Sequence, residues 1–254
     1  MMLLAVESAT DLVGAALLRP DGSVAERSHV GGRAHAELLA PAIEEVCTLS
    51  GCTLAEVDAL AVDVGPGLFT GLRVGVATAK ALGQALGIGV LGVTSLDVLA
   101  AGARELAGPE RATTVVAVVD ARRREVFAAA YRFATAGPGA DPAEVADDRQ
   151  ESLAPDALAD WLDGLASEGP VLVVGDGAVR YLDLLGPVPG SDLGLAADVS
   201  SPAPAVLARL AARRLAAGAV PLSPGAVAPE YRRHADARIN WEERAPARPA
   251  DGGA

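Results

Sequence analysis

The feature that most restricts the fold of this chain is the segment Ala61–Val93, where an apolar run leads through a Gly-Pro-Gly turn into a helix-like segment and a second apolar run. Small residues recur at every fourth position of the helix-like segment, at Gly71, Gly75, Ala79 and Gly83. Residues four apart share one helix face, so one face would carry almost no side-chain bulk. Because each helical glycine costs about 0.5–1 kcal/mol relative to alanine, we expect another protein segment to approach this face closely.

The turn before this helix allows two interpretations, a type II turn and a phosphate loop. Pro66 followed by Gly67 predicts a type II turn with a positive φ at Gly67, and Thr70 is a candidate N-cap for the helix. Glycines between a strand and a helix also suggest a phosphate loop. A Walker A loop needs the spacing GxxxxGK[ST], and a dinucleotide loop needs GxGxxG. Neither spacing is present in the turn, so we do not predict a phosphate loop here.

The first half of the chain alternates strand and helix patterns. Apolar runs at Leu3–Ser8 and Val13–Leu18, followed by Ser23–Val30, are separated by turn residues and predict a three-stranded meander. A helix is predicted at His35–Leu49, since its apolar residues recur with helical spacing. Together with the strands that flank the glycine-rich helix, this order predicts a mixed sheet with helices on its faces.

The second half repeats this order more weakly. Thr114–Val119 and Val126–Phe133 read as two strands joined by a polar turn, and a helix from Pro155 and a buried strand at Val171–Val174 follow. Two lobes that each open with strand, turn and strand predict a two-lobe α/β fold of the actin-like and ribonuclease-H-like type, each lobe a mixed sheet with flanking helices. The predicted division is residues 1–108, residues 109–220, and a polar, partly disordered tail at residues 221–254.

Composition argues against several classes of partner. The net charge is −12, whereas a protein that grips nucleic acid by itself needs a basic surface. Aromatic residues make up 3% of the chain, which leaves few platforms for stacking bases. We find neither an apolar run of membrane-spanning length nor a signal-peptide pattern, so we predict no membrane association and a cytoplasmic location. The two cysteines, Cys47 and Cys52, are then expected to be reduced thiols.

Motifs for catalysis are weak. His29, His35 and His234 do not form an HxxxH or HExxH pair, and the serines lack a GxSxG elbow. We therefore predict no catalytic residue, no cofactor and no metal. One alternative stays open: the turns Glu7–Asp11 and Asp120–Glu125 occupy the places where actin-like ATPases clamp a nucleotide. An actin-like small-molecule kinase or ATPase using Glu7, Asp11 and Asp120 in the interlobe cleft is this second hypothesis.

Two helices of the first half are candidates for an interface. The helix at His35–Leu49 is strongly apolar on one face, and the helix at Thr70–Leu86 is apolar on almost every side. A helix that is apolar on most sides is buried on more than one side. One face can pack on the chain's own sheet, while the other is covered either by a partner or by further packing within the chain.

The segment GPGLFTGLRVGVATAKALG resembles the GPGSFTGLRIG-type signature of the TsaB (YeaZ) family. Further similar pieces follow in the family's order and reach about Arg233: LLAVESAT, HAELLAPAIEEV, GVTSLDVLA, VVDARRREVFAAAY, VVGDGA and PEYRR. The chain departs from the family in having Glu7 where Asp is usual and Leu68 where Ser is common.

The resemblance implies an actin-like fold and a non-catalytic dimerisation subunit of the machinery that makes N6-threonylcarbamoyladenosine at position 37 of tRNAs reading ANN codons. Its implied partners are the catalytic TsaD-like threonylcarbamoyltransferase paralogue, which carries the HxxxH ligands, and a TsaE-like ATPase. It implies a homodimer when alone, contact with tRNA only through the complex, and a helical bundle as the dimer contact. The residues predicted to form this partner interface are His35, Leu38, Leu39, Ala42, Ile43, Val46, Gly71, Leu72, Gly75, Val76, Ala79, Lys80 and Gly83.

Overall fold

We analysed a computed structural model of the chain, which describes residues 1–30, 34–107, 113–133, 144–148, 152–185, 194–195 and 197–232. The boundary predicted between residues 108 and 109, and the tail beyond residue 232, lie outside the described residues.

The first sheet has five strands in the order β3-β2-β1-β4-β5. Its strands are β1 (Leu3–Glu7), β2 (Leu12–Leu18), β3 (Val24–Val30), β4 (Ala59–Gly65) and β5 (Val90–Thr94). The meander β1 to β3 is antiparallel, whereas β4 runs parallel to both β1 and β5. The mixed sheet predicted from the alternation of patterns is therefore confirmed.

The second sheet repeats this arrangement in the order β8-β7-β6-β9-β10. Its strands are β6 (Thr113–Arg122), β7 (Glu125–Phe133), β8 (Glu144–Asp148), β9 (Val171–Val174) and β10 (Gly194–Leu195). Again the first strand pairs antiparallel with the second and parallel with the fourth. The same order and the same directions in both sheets confirm the two-lobe architecture.

Helices cover both sheets and fill the space between them. They are α1 (His35–Ser50), α2 (Phe69–Leu86), α3 (Ser95–Ala107), α4 (Pro155–Ala166), α5 (Asp176–Arg180), α6 (Leu182–Leu185) and α7 (Pro204–Ala216). Helix α3 lies between the sheets: Val98 and Ala101 pack in a core with the first sheet, and Leu96 and Leu99 pack in a core with the second. A helix buried on both sides in this way needs two apolar faces, and the acidic residues of α3 are paired, Asp97 with Arg214 and Glu105 with Arg209.

The C-terminal part of the described chain returns to the first sheet. Leu207 and Leu210 of α7 share a buried core with Leu3 of β1, although the predicted division placed residues up to 220 in the second lobe. Beyond α7, Leu222 and Val90 exchange two backbone hydrogen bonds of 2.9 and 3.0 Å. The described part of the predicted tail, up to residue 232, is thus held to the first lobe by backbone pairing, a contact that the sequence pattern does not reveal.

Helix α2 sits on the first hairpin through its small residues. A Cβ atom added at Gly71 would collide with the carbonyl oxygen of Ser8, and one added at Gly75 would collide with the Ser8 hydroxyl. Ser8 Oγ donates a hydrogen bond of 2.8 Å to the Gly71 carbonyl oxygen. The close approach expected at the small-residue face is therefore made by the turn after β1, within the same chain.

Two details at the start of α2 differ from the sequence prediction. The helix begins at Phe69 after Leu68, so Thr70 lies inside the first turn and is not the N-cap. The positive φ falls on Gly65, at 109°, and not on Gly67, so the predicted type II turn does not form. Gly67 is small for another reason, because a Cβ there would collide with the Ala9 backbone.

No helix in the described part of the chain combines the length and the apolar character needed to cross a membrane.

We predict that Gly75→Val lowers the free energy of unfolding by about 1–3 kcal/mol, because the added methyl groups collide with Ser8 in a packed contact. Ala77→Val, on the exposed side of the same helix, serves as the matched control and should cost less than about 1 kcal/mol. Urea unfolding of both variants measures the difference. Equal losses of stability would contradict the packing role of the small-residue face.

Candidate partner interface and interlobe junction

Most residues predicted for the partner interface lie inside the chain. Only two of the thirteen, Leu38 and Lys80, are half-buried, and Lys80 Nζ donates a hydrogen bond of 3.1 Å to the Val227 carbonyl oxygen. The other predicted residues are buried: His35, Leu39, Ala42, Ile43, Val46, Gly71, Leu72, Gly75, Val76, Ala79 and Gly83. A partner cannot contact these side chains while the chain keeps this structure.

The buried residues of α1 and α2 are engaged by the chain's own strands and turns. Besides the contact between Ser8 and Gly71, His35 Nε2 lies 2.7 Å from the Thr10 carbonyl oxygen. Gly83 faces the segment after α7, where an added Cβ would lie 2.9 Å from Pro224. The residue-level interface prediction therefore needs correction: the small-residue face is an intramolecular packing surface. That α1 and α2 carry the partner contact stays a prediction, now for their outward faces.

The opposite face of α2 is open, and a stripe of uncharged residues runs along it beside the exposed Arg73 and Gln84. Helical spacing aligns five residues there, of which Val74 is half-buried and the others are exposed. We call them the outer stripe: Thr70, Val74, Ala77, Ala81 and Ala85. The helix contains no acidic residue, although the chain as a whole is strongly acidic. An exposed helix stripe without charge marks a candidate interaction surface.

An aromatic and arginine cluster stands at the N-terminal end of α2. The Phe69 and Tyr231 rings, 44% and 45% exposed, have centroids 5.1 Å apart. The Arg73 guanidinium lies 3.8 Å from the centroid of the Phe69 ring and donates a 3.1 Å hydrogen bond to the Tyr231 hydroxyl. This cluster borders a cleft of about 380 Å³ whose far wall includes Arg122 and Phe127 of the second lobe.

One arginine joins the two hairpin turns that were considered as phosphate clamps. Arg122 Nη2 donates hydrogen bonds of 3.0 and 3.1 Å to the two carboxylate oxygens of Asp11, in the first lobe. Its Nη1 donates a 2.9 Å bond to Asp120, whose side chain is 2% exposed. Arg180 also pairs with Asp120, at 3.3 Å. Two of the three carboxylates proposed to serve a nucleotide, Asp11 and Asp120, are thus neutralised by the protein's own guanidinium groups.

The turn that carries Arg122 has a constrained backbone. Arg122, Arg123 and Arg124 have φ angles of 62°, 56° and 61°, a region that residues other than glycine seldom adopt. Asp120 helps to hold the turn, since its carboxylate also accepts a 2.9 Å hydrogen bond from the Arg122 backbone N–H. The turn therefore presents the Arg122 side chain toward the first lobe in a defined position.

A pair of buried carboxyl groups lies near this junction, and sequence analysis did not predict it. Val6 and Val62 are paired neighbours in parallel strands, so Glu7 and Asp63 follow at adjacent strand ends. Both are almost wholly buried. Glu7 accepts a 2.7 Å hydrogen bond from the Ala9 N–H, and Asp63 accepts 2.7 Å bonds from the Gly65 N–H and the Ser95 hydroxyl.

Burial and mutual contact raise the pKa values of this pair. Burial, then the neighbouring Asp63, raises the pKa of Glu7 well above its ordinary value. Burial likewise raises the pKa of Asp63 to about 6. Because two buried carboxyls in contact cannot both ionise cheaply, we infer that Glu7 is protonated at neutral pH and donates a hydrogen bond to Asp63. A shared proton also accounts for Glu7 Oε2 and Asp63 Oδ2, buried oxygens that find no other donor.

The described residues offer no group of three or more His, Cys, Asp or Glu side chains arranged to hold a metal ion. The candidate functional features of the described chain are the outer stripe, the aromatic cluster and the junction held by Arg122.

Comparison with known proteins connects this geometry to one family. The family described as "TsaD: tRNA N6-adenosine threonylcarbamoyltransferase" matches residues 25–155. The tRNA threonylcarbamoyladenosine biosynthesis protein TsaB of Bacillus subtilis is 32% identical, over 96% of this chain and 99% of that protein. An uncharacterised Mycobacterium tuberculosis protein is 42% identical over 57% of this chain and 67% of its own length. The solved structure of YeaZ from Pseudomonas aeruginosa, 27% identical, superposes with a TM-score of 0.68 over 90% of this chain and 100% of that one. This likeness confirms the predicted fold class.

We predict that Glu7→Gln changes how stability depends on pH. Burial raises the folded-state pKa of Glu7 and Asp63. Their contribution to the free energy of unfolding is therefore complete below the unfolded-state pKa values, near 4, and is lost as pH rises through and above 6. Glutamine keeps the hydrogen bond to Asp63 but cannot ionise. The free energy of unfolding of the variant, relative to that of the wild type, should therefore increase by about 1–3 kcal/mol as pH rises from 5 to 8.

Urea unfolding at each pH measures this difference. Burial raises the pKa of Asp176 to about 6, so Asp176 also lowers the free energy of unfolding as pH rises. This effect is the same in both proteins and cancels from the difference between them. Parallel pH profiles for the two proteins would contradict the shared proton.

Proposed function

The chain belongs to the TsaB family, and on this premise we propose that it is a subunit of the machinery that makes threonylcarbamoyladenosine in tRNA, acting as a scaffold without catalysis of its own. Its partner in this proposal is the catalytic TsaD-like threonylcarbamoyltransferase paralogue, which it binds and activates. A TsaE-like ATPase joins the assembly, and tRNA is contacted only through the complex. The proposed location is the cytoplasm.

The observation that carries the proposal is the outer stripe of α2. A helix packed on its own sheet normally presents charged residues to solvent on its outer face. Here Thr70, Val74, Ala77, Ala81 and Ala85 form an uncharged stripe, with the exposed Arg73 and Gln84 along one side of it. Small side chains allow a second helix to approach closely, and the absence of acidic residues from α2 removes repulsion by an acidic partner. The proposed surface also includes Leu38 of α1, whose side chain is half-buried.

The same surface explains the proposed homodimer. In the absence of the catalytic partner, two copies of an uncharged helix face can cover each other, because burying apolar surface is favourable whatever the identity of the chain that supplies it. We therefore propose that self-association and binding to the paralogue use the same face and compete.

The alternative function as an actin-like kinase or ATPase has no support from the relatives, since the protein matched along almost its whole length is named for tRNA modification. The junction also disfavours it physically. Of the three carboxylates predicted for a nucleotide site, Asp11 and Asp120 are bound to Arg122, and Glu7 is wholly buried.

We predict that Ala77→Glu weakens binding to the catalytic paralogue at least tenfold, because the proposed contact must then accommodate a long side chain and desolvate its charge where small side chains pack. Ala157→Glu, which adds the same charge at an exposed position of α4 in the second lobe, is the matched control and should bind like the wild type. Calorimetric titration of each chain with the purified paralogue gives the dissociation constants.

Light scattering of each chain alone tests the homodimer: the wild type and Ala157→Glu should form dimers that Ala77→Glu does not. If Ala77→Glu, folded by circular dichroism, binds the paralogue as tightly as the control does, the outer stripe is not the interface.

A further inference from the structure

The two cysteines of the chain meet at the C-terminal end of α1. Helix α1 ends at Ser50, and Gly51 follows in the left-handed conformation with φ 62°. The Gly51 N–H donates to the Thr48 carbonyl oxygen at 3.1 Å, and the Cys52 N–H donates to the Cys47 carbonyl oxygen at 3.0 Å. These two hydrogen bonds define a Schellman motif.

The Schellman motif brings two particular side chains together. The residue that donates the outer hydrogen bond packs against the residue that accepts it, and apolar side chains usually make this contact. In α1 the two positions are Cys52 and Cys47. The Cys52 side chain lies close enough to raise the pKa of Cys47, as expected for two positions that the Schellman motif brings together. Cys47 is buried, whereas Cys52 is partly accessible to solvent.

We propose that Cys47 and Cys52 are a dithiol site that closes to a reversible disulfide when the chain meets a low-molecular-weight disulfide. The accessible Cys52 thiolate attacks the small disulfide, releases one small thiolate and forms a mixed disulfide. The Cys47 thiolate then attacks the Cys52 sulfur and expels the second small thiolate. In total two protein thiols lose two protons and two electrons, and the small disulfide is reduced to two thiols.

The two cysteines have different roles in this exchange. Cys52 is the entry point because it is the more exposed thiol. Burial, followed by the charge and the hydrogen bond of Cys52, raises the pKa of Cys47 to about 11. Burial, the largest of these causes, persists in the mixed disulfide, in which Cys52 no longer carries a thiol. Since only the thiolate attacks, ring closure by Cys47 should accelerate by up to about tenfold for each pH unit between pH 7 and 8.5. The pair thus stays reduced under mild conditions and closes under sustained oxidation.

The test exposes the full-length chain to oxidised glutathione and follows intact mass with time. The wild type should pass through a glutathione adduct and end about 2 Da lighter than the reduced chain, without bound glutathione. Cys47→Ser and Cys52→Ser should instead each keep one glutathione, with Cys47→Ser, which retains the exposed thiol, reacting faster.

The role of the helix end is tested by Gly51→Val. A Cβ at Gly51 has open space around it, so this change acts only through the left-handed backbone. It should slow ring closure at least tenfold. Gly87→Val is the matched control, because Gly87 follows α2 with φ 69° and also has open space around an added Cβ. In this variant the disulfide between Cys47 and Cys52 should close at the wild-type rate.

Two results would overturn the proposal. One is a wild-type chain that accumulates stable glutathione adducts, or stays unmodified, without becoming lighter. The other is equal slowing of closure by Gly51→Val and Gly87→Val, which would mean that general strain and not the Schellman motif controls the reaction.

Discussion

The contact between α2 and the first hairpin is the interaction on which the rest of the molecule depends. Ser8 lies against Gly71 and Gly75 so closely that neither position can accept a Cβ, and its hydroxyl bonds the Gly71 carbonyl. One residue further on, the Ala9 carbonyl accepts a 2.6 Å hydrogen bond from the Leu68 N–H. Three glycines, Gly67 included, therefore seat the helix on the turn and set its rotation about its own axis.

That rotation decides the outer surface of the first lobe. With the small-residue face turned inward, the residues half a turn away point to solvent, and they include Ala77 and Ala81. The glycines act on the partner surface indirectly, because they orient the helix that carries it. The glycine pattern and the proposed interface thus belong to opposite sides of one helix.

The junction between the lobes is built from charges that compensate one another within the chain. Arg122 connects Asp11 and Asp120 across the lobes, and Glu7 and Asp63 share a proton at the ends of neighbouring strands. An arrangement whose charges are already satisfied suits a structural role in holding the lobes together. It contrasts with the uncharged stripe on α2, whose alanines are exposed to solvent and which therefore fits a contact with another molecule.

The sequence by itself determined the order of strands and helices, the duplication of the lobes and the family, because hydrophobic period, turn residues and motif spacing are local properties. It also showed that something must lie on the glycine face of α2, but not what. Only the tertiary structure decided that Ser8 lies there, that α7 returns to the first sheet, and that Glu7 meets Asp63. These contacts join residues far apart in the chain, and their partners are set by strand order and register, which no local pattern specifies.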